Sequence, residues 1–427
     1  MATALIVANF LGPEEKGLAA LSQVLPAFTA GISGLGIAAS LKYTISRKDK
    51  SLKEVGLTAI LLSVVQGVIA GTAFMALATT GWLGPLASGF SPWITISCAT
   101  IIPILVVRQT IYMGLAGNAE FRIQNVLDFV ASVLFALLSV LFVILFHFGF
   151  EGVLFSYLIS SSFSALGAMI VFAAKHRPAF TIDLSFIKFS YHYGFRAWIG
   201  TLANRGNAEL GQLFLGILAP ASALGNYSVG VTLGRLLYLI PQSIAPVFVN
   251  QVAESKGNIE PNKIALIHRA MLLIVILSGL AIAIGVAILA PIVLPKYLDV
   301  PFLVLLFIPG AIFYSSFRIL GAFFIGIGQP EKSSYCNFIA LIGSLISYPI
   351  LVPLFGGYGA AAASSLVYLS MYLLVVAMFN RHVRPDKTEL YSFRITDVKW
   401  LKTQIVDVMR ILRSSTSAEK NKSKTNS

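Results

Sequence analysis

Four arginines lie inside long apolar stretches of this sequence, where a charged side chain is costly. They are Arg108, Arg205, Arg235 and Arg318. Insertion scales put the cost of an arginine at the centre of a membrane span at roughly 2.5–3.5 kcal/mol, so such residues usually face a cavity or an opposite charge. A guanidinium matches phosphate oxygens in bidentate geometry. The four arginines therefore indicate a cationic cavity that binds an anionic phosphate or pyrophosphate group. We expect Arg235 near its middle.

Glu209 is the carboxylate that lies deepest in a predicted span. It follows Arg205 by four positions, so the two share a helix face and can pair. Two roles stay open for Glu209: a coupling site for H⁺ or Na⁺, or only the partner of Arg205. Asp128 lies near the start of another span, and we expect it at the membrane interface. Arg108 and Arg318 lie nearer the cytoplasmic ends of their spans, so snorkelling to the membrane surface is an alternative role for both.

The composition is that of a polytopic helical membrane protein. Of the 427 residues 57% are hydrophobic and 11% charged, with a mean hydropathy of +0.83, whereas soluble proteins carry about 25% charged residues. Cys98 and Cys336 both lie in apolar spans, so we expect neither a disulfide nor a metal site.

Apolar runs long enough to cross a bilayer predict an all-α fold of about twelve transmembrane segments. The first of these segments is short, and we expect it to be a truncated helix or a stub in the membrane. The predicted segments are 1–11, 18–41, 55–80, 92–116, 126–147, 150–174, 195–217, 222–249, 265–294, 301–326, 334–355 and 358–379.

The lysines and arginines outside the spans lie almost entirely on one side. Only Lys16 and Lys296 fall in the opposite loops. By the positive-inside rule the basic side is cytoplasmic and includes the C-terminus, which predicts a multi-pass protein of the cell (inner) membrane. The net charge of +13 then reflects topology and attraction to anionic lipids, not nucleic-acid binding. The opposite loops are too short for a catalytic domain, and a phosphate-binding P-loop is missing, so we expect no enzyme and no catalytic residues.

The sequence contains an internal repeat. The stretch from Arg108 to Glu120 is echoed from Arg318 to Glu331, and L-G-P at 11–13 is echoed by L-A-P at 218–220. Because each repeat holds an even number of segments, we expect two six-helix bundles in parallel orientation, at 1–194 and 195–380.

Two further segments differ from the spans. Residues 381–413 carry apolar residues at helical spacing with basic residues between them, which predicts an amphipathic helix on the cytoplasmic membrane surface. Residues 414–427 have the composition of a disordered tail. The stretch 176–196 is expected to be an interfacial linker between the bundles.

The order of several motifs resembles that of the oligosaccharide flippases in the multidrug/oligosaccharidyl-lipid/polysaccharide exporter superfamily. L-G-P-E-E-K-G-L at 11–18 is similar to their opening motif, and Q-L-F-L-G-I-L-A-P-A-S-A-L-G-N-Y-S-V at 212–229 is similar to the motif of their second half. G-Q-P-E at 328–331 and G-G-Y-G-A-A at 356–361 continue the match. One departure is Gly211, which stands where the second-half motif often has an acidic residue.

The resemblance implies a flippase that moves polyprenyl-pyrophosphate-linked oligosaccharide to the outer leaflet by alternating access, for surface polysaccharide assembly. It implies no cofactor beyond an H⁺ or Na⁺ coupling ion, and other membrane proteins of polysaccharide assembly as potential partners. The alternative is a cation-coupled multidrug or toxin exporter on the same fold. Four arginines against one glutamate disfavour the cationic substrates of that class. A membrane glycosyltransferase would need clustered carboxylates on the outer side or a large outer loop, and this sequence has neither.

Overall fold

A computed structural model describes residues 2–255 and 260–383, and these residues form an all-helical protein, as predicted. Eleven α-helices occupy the described ranges, with one short 3₁₀ helix at 84–86 and a π-helical stretch, Val140–Leu145, that prolongs α5. The α-helices are α1 (Ala2–Ser33), α2 (Ile37–Ser46), α3 (Leu52–Thr79), α4 (Pro92–Gly117), α5 (Phe121–Ser139), α6 (Gly149–His176), α7 (Leu184–Leu218), α8 (Ala221–Glu254), α9 (Pro261–Val293), α10 (Val300–Gly326) and α11 (Pro330–Val383).

The long helix α11 is a helical hairpin that turns at Gly356. This glycine has φ 55° and ψ −129°, a conformation that side chains with a Cβ rarely adopt. The hydroxyl of Tyr348, before the turn, lies 3.0 Å from Oγ of Ser364, after it. A straight helix would hold two residues at this spacing roughly 24 Å apart. The two arms of α11 are therefore the last two predicted spans.

The first helix turns back in the same way at Gly12, which has φ 76°. Val7 and Gln23, on either side of the turn, line one cavity. After the second arm, the chain breaks at 34–36 and continues as α2 with a bend of 58°. Counted by arms, with α2 as the continuation of the second segment, the described helices match the twelve predicted segments.

The turns between helices collect at two opposite faces of the bundle. The basic face is formed by the helix ends at 46–52, 117–121, 176–184, 254–261 and 326–330. We call the opposite face, which the sequence makes poor in lysine and arginine, the neutral face. On the basic face, Glu120 forms an ion pair with Lys175 at 3.0 Å and its Oε2 lies 3.2 Å from Nε2 of His176. These contacts connect the start of α5 to the end of α6.

Eight helices are long and apolar enough to cross a membrane, or nine if α1 and α2 together count as one bent span. Large apolar side chains remain exposed along these helices; Ile69 and Ile284 are each 61% exposed. In an all-helical protein, apolar surface of this extent suits contact with lipid chains. The chain is a multi-pass membrane protein. Cys98 and Cys336 are buried, as expected.

The predicted linker at 176–196 is wrong in part, because α7 begins at Leu184 and runs through the end of that stretch. The carboxylate of Asp183 caps the helix by accepting a hydrogen bond of 2.9 Å from the backbone N–H of Phe186. Phe186 is buried in a cluster formed by the first half of the chain. The predicted bundle boundary at 194/195 therefore falls inside a continuous helix.

Residues 384–427 lie outside the described part of the chain. They include nearly all of the predicted amphipathic helix at 381–413 and the predicted disordered tail at 414–427. Both stay predictions from the sequence.

Candidate functional site

Arg108 and Arg205 line the same cavity, of about 280 Å³, in the half of the protein nearer the basic face. It is a polar pocket enclosed by helices of the first half and by α7. The lining residues are Ala27, Ala30, Leu105, Arg108, Gln109, Tyr112, Met113, Gln124, Asp128, Tyr157 and Arg205. α4 and α7 thus bring together two arginines that are far apart in sequence.

The guanidinium of Arg205 is held in place by several acceptors. Nη1 donates to the carbonyl oxygen of Ala27 and Nη2 to Oε1 of Gln109, both at 3.2 Å. The predicted pair with Glu209 is present as a looser contact, with Nη1 3.8 Å from Oε1. The side chain crosses α1 at Gly31, where an added Cβ would overlap it. Arg205 is therefore a positioned cation.

The N–H donors of Arg108 have no acceptor in the described part of the chain. Its guanidinium lies 5.9 Å from the ring centroid of Tyr112, whose hydroxyl lies 2.6 Å from Oγ of Ser164. Within residues 2–255 and 260–383 it forms no hydrogen bond and no ion pair. A guanidinium held by an aromatic ring, with its N–H groups unused, is ready to bind an anion.

Asp128 was expected at the membrane interface, and the structure shows that its side chain also faces a cavity. Its side chain is half-buried and lines the cavity of Arg108 and Arg205. The reason is that α5 packs closely on α6, so that one face of its first turns looks inward rather than toward the surface. The cavity therefore contains one carboxylate beside its two arginines.

Arg235 lines a second and larger cavity, of about 470 Å³, between the two halves and nearer the neutral face. It is joined there by Lys16, which the sequence analysis assigned to a loop on the neutral side. The turn at Gly12 instead places Lys16 in the second arm of α1, facing the cavity. The buried hydroxyl of Ser139, which also lines this cavity, has no hydrogen-bond partner in the described residues. Two basic side chains and a hydroxyl without a partner thus face this cavity.

Arg318 lies in a third cavity, of about 310 Å³, formed within the second half. The four predicted arginines thus line three cavities in the described part of the chain. The arginines lie on four different helices, and the packing of those helices separates three cavities. Arg108 and Arg318 each follow a proline of their helix, Pro103 in α4 and Pro309 in α10, but by five and nine residues.

Glu209 has one unsatisfied oxygen. Its Oε1 faces Arg205, whereas Oε2 is buried without a hydrogen-bond partner in the described chain. The charges of both Arg205 and Arg235 act on this carboxylate. A buried carboxylate oxygen without a donor is costly, and a proton or a bound cation would satisfy it.

Near the neutral face, two reciprocal glycine contacts join α1 and α8. A Cβ on Gly17 would overlap the carbonyl oxygen of Ala221, and a Cβ on Gly225 would overlap the carbonyl oxygen of Pro13. Gly17 and Gly225 follow the two copies of the repeated L-x-P motif, four residues after Pro13 and five after Pro220. We call this pair of contacts the glycine seal.

Sequence reasoning missed Lys16, Asp128, Gln109 and Tyr112 as parts of these cavities. Asp128 offered a signal, since it is an acidic residue inside an apolar helix. Gln109 offered a weaker one, as the polar neighbour of Arg108. Helix packing decides which of these side chains face a cavity. The sequence of a span that is apolar on every face does not show this packing.

Solved structures with a similar fold are transporters of the MOP superfamily. An inward-facing multidrug resistance transporter of its MATE family has a TM-score of 0.69 at 14% identity, over 90% of this chain and 93% of that one. The lipid II flippase MurJ in an inward closed conformation has a TM-score of 0.68 at 15% identity, over 97% and 90%. A MOP superfamily transporter from Pyrococcus furiosus, described as having a binding pocket of reverse polarity, has a TM-score of 0.58 at 15% identity, over 90% and 91%.

The fold is therefore that of the MOP superfamily transporters. A model of the polysaccharide biosynthesis protein family matches residues 1–253, more than half of the sequence, and the chain belongs to that family. A search of curated proteins gave no match. The family resemblance inferred from the motifs is confirmed.

Proposed function

We propose that this protein is a flippase for a polyprenyl-pyrophosphate-linked oligosaccharide and moves it from the cytoplasmic to the outer leaflet by alternating access. The basic face is then cytoplasmic, in the cell (inner) membrane, and the product feeds surface polysaccharide assembly. The activity is transport, so the site residues bind and release the substrate and none is catalytic.

The observation that carries this proposal is the cavity shared by Arg108 and Arg205. One guanidinium there is fixed by Ala27 and Gln109, and the other has no acceptor in the described chain. A pyrophosphate offers several anionic oxygens to such a pair, and charge-assisted bidentate bonds are about twice as strong as neutral ones. A sugar chain can occupy the polar space beside the arginines, with the lipid tail left in the bilayer.

Arg235 and Lys16 provide the next position along the path. Their cavity lies nearer the neutral face and between the halves. In our scheme the pyrophosphate passes from Arg108 and Arg205 to Arg235 and Lys16 as the halves rearrange. Because cations line both cavities, the anion is never left without a counter-charge in the membrane interior.

The glycine seal supports the alternating-access part of the scheme. With Gly17 and Gly225 packed on the opposite half, this conformation is closed at the neutral face. Release to the outer leaflet then requires α1 and α8 to separate at these contacts. Two copies of one motif form the seal, so both halves can move symmetrically.

We place the coupling ion, H⁺ or Na⁺, at Glu209. Its buried Oε2 has no donor in the described residues, and the carboxylate lies within reach of the charges of Arg205 and Arg235. Neutralising Glu209 would release Arg205 from its ion pair and leave the guanidinium free for the substrate. No metal ion or organic cofactor is part of the scheme.

Multidrug export on the same fold is the second candidate, and the cavity lining argues against it. A cationic drug would meet Arg108 and Arg205 in one cavity and Arg235 and Lys16 in the other. Like charges placed side by side in a desolvated site cost several kcal/mol. The proposed partners are therefore the lipid-linked substrate, anionic membrane lipids and other membrane proteins of polysaccharide assembly. Nucleic acid is not among them.

A leaflet assay tests the function. In a strain that lacks this protein and any redundant transporter, lipid-linked oligosaccharide should accumulate in the cytoplasmic leaflet. The native chain should restore outer-leaflet substrate, and so should Arg122→Gln, which changes an exposed arginine of the basic face. The double variant Arg108→Gln with Arg205→Gln should fail although it reaches the membrane. Normal amounts of outer-leaflet substrate in the deletion strain would contradict the proposal.

A further inference from the structure

The cavity of Arg318 differs from the other two because its walls belong to the second half of the chain alone. Residues of α8 and α10 form most of it, and Ser333 at the start of α11 closes one side. The polar groups that line it are the guanidinium of Arg318, the amide of Asn250 and the hydroxyl of Ser333. Its volume of about 310 Å³ falls at the lower end of the usual range for small-molecule sites, roughly 300–1,000 Å³.

Arg318 has no counter-charge in this cavity. Its Nε is buried and has no hydrogen-bond partner in the described residues, and among the residues that line the cavity none is acidic. Arg108, its counterpart in the first half, shares a cavity with Asp128. Burying a guanidinium without an acceptor costs free energy that an anion would recover.

The rest of the cavity wall is apolar. It consists of Ala245, Pro246, Val249, Phe317, Ala322 and Ile325, with Gly321 leaving room beside the guanidinium. Pro246, Asn250 and Ile325 are exposed, so the cavity opens to the protein surface in the half nearer the basic face. A ligand that fits must therefore carry an anionic head and an apolar body.

A second cation lies close to this opening. Nζ of Lys332, the residue before Ser333, lies 4.6 Å from the ring centroid of Phe324 at the end of α10. A lysine held over an aromatic ring at the membrane surface favours anionic head groups near the opening.

We propose that the Arg318 cavity is a separate binding site for a phosphate group, and that its ligand is the phosphate of an anionic lipid in the leaflet at the basic face. The guanidinium takes two phosphate oxygens side by side, and Ser333 and Asn250 supply the remaining donors. The apolar wall takes the glycerol backbone and the first methylenes of the acyl chains. Arg318 is thus removed from the substrate path and becomes a lipid-binding residue.

The test measures binding and not transport, so its result is independent of the proposed flippase activity. The purified full chain is titrated with dioctanoyl phosphatidylglycerol, with dioctanoyl phosphatidylcholine and with inorganic phosphate, and its thermal stability is followed. The phosphatidylglycerol should raise the melting temperature in a saturable way, and phosphatidylcholine should not. In Arg318→Gln the apparent affinity for phosphatidylglycerol should fall at least about tenfold, as expected for the loss of a charge-assisted bidentate contact.

Three variants control for folding and for general surface charge. Ser333→Ala should weaken binding about three- to tenfold and keeps the arginine, so it remains informative if Arg318→Gln does not fold. Lys53→Gln and Arg122→Gln, which change exposed basic residues of the first half, should keep the affinity of the native chain. An Arg318-dependent response to inorganic phosphate alone would keep the phosphate site but overturn the lipid as its ligand. Equal responses of the native chain and both Arg318→Gln and Ser333→Ala would overturn the site.

Discussion

The backbone of Gly17 in α1 lies so close to the carbonyl oxygen of Ala221 in α8 that a methyl group on residue 17 would overlap it. Backbone atoms cannot yield as a flexible side chain can. Gly17→Ala should therefore open the seal at the neutral face. In a chain whose native cysteines are replaced, a cysteine at Thr232, which lines the cavity behind the seal, should react with a thiol reagent added from the neutral side several-fold faster.

Gly343→Ala is the matched control for this variant, since an added Cβ there meets nothing within 4 Å. It should leave the labelling rate unchanged. If Gly17→Ala lowered the melting temperature but left labelling at the native rate, the contact would serve packing and not closure.

Replacing Arg205 should slow transport strongly, and removing one of its hydrogen-bond acceptors should slow transport less. Arg205→Gln should slow the initial rate of flipping in proteoliposomes at least about tenfold, because a buried charge-assisted hydrogen bond is worth roughly 1.5–3 kcal/mol. Gln109→Ala keeps the arginine but removes the acceptor of Nη2, so it should slow flipping by a smaller factor. An unchanged rate in both variants would exclude this cavity from the transport path.

Arg235 and Lys16 should affect a later step than Arg108. Arg235→Gln should bind the substrate from the basic side within about twofold of the native affinity but flip it at least about tenfold more slowly, because the second anion position has lost a charge. Arg108→Gln should instead weaken binding itself. Equilibrium binding and single-turnover flipping, measured on both variants, distinguish the two steps. A loss of substrate binding in Arg235→Gln would show that Arg235 acts in the first binding step and contradict the order of steps.

Glu209→Gln should disconnect transport from the ion gradient. The glutamine keeps the size of the side chain but can neither take up a proton nor pair with Arg205. Flipping should continue at a rate that no longer depends on an imposed H⁺ or Na⁺ gradient. Asp128→Asn is the comparison, because Asp128 lines the cavity of Arg205 and is not the proposed ion site. This variant should keep the dependence on the gradient. Gradient dependence in Glu209→Gln would contradict the coupling role.

Asp183, at the start of α7, predicts a pH dependence of stability. Its hydrogen bond with the ammonium group of Lys50, followed by that with Ser185, lowers the pKa of Asp183 to about 2. A carboxylate whose pKa is lower in the folded state stabilises the fold above its ordinary pKa of about 3.9, and this contribution is lost as the pH falls toward the folded value.

Asp183→Asn keeps the cap on Phe186 but loses the charge. The native chain should therefore melt at a higher temperature than the variant at pH 7. The difference should shrink as the pH falls below about 3.9 and be mostly lost by about pH 2, where Asp183 is half protonated in the folded chain. Lys50→Gln should reduce the same difference. A melting-temperature difference that did not change between pH 7 and pH 3 would show that the ion pair does not act on stability.

The helical segments could be predicted well because spans of about 20 apolar residues have few alternatives in a bilayer. The hairpin turns at Gly12 and Gly356 also left a signal, since each lies in a short glycine-containing break between runs. The pair of Arg205 and Glu209 followed from helix geometry alone. These are local properties, and local sequence is sufficient to predict them.

The division into three cavities could not be predicted in the same way. Arg108 and Arg205 come together only because α4 and α7 pack on either side of α1, and that packing involves residues far apart in sequence. Lys16 was misplaced because the tight turn at Gly12 lets helix begin again at once, which turned an expected loop residue into a cavity residue. Asp128 was not assigned to the cavity because the packing of α5 on α6 decides which of its side chains face inward.

The continuous helix α7 has a consequence for chain length. Phe186, near its start, is buried among residues of the first half, and the guanidinium of Arg205 reaches the carbonyl of Ala27 farther along the same helix. Each residue of an α-helix turns the direction of the side chain by about 100°. Inserting a single residue between Phe186 and Arg205 would point the guanidinium away from Ala27, although no functional side chain had changed. The number of residues between Phe186 and Arg205 therefore sets the direction of the guanidinium, and the anion site depends on it as much as on the arginine itself.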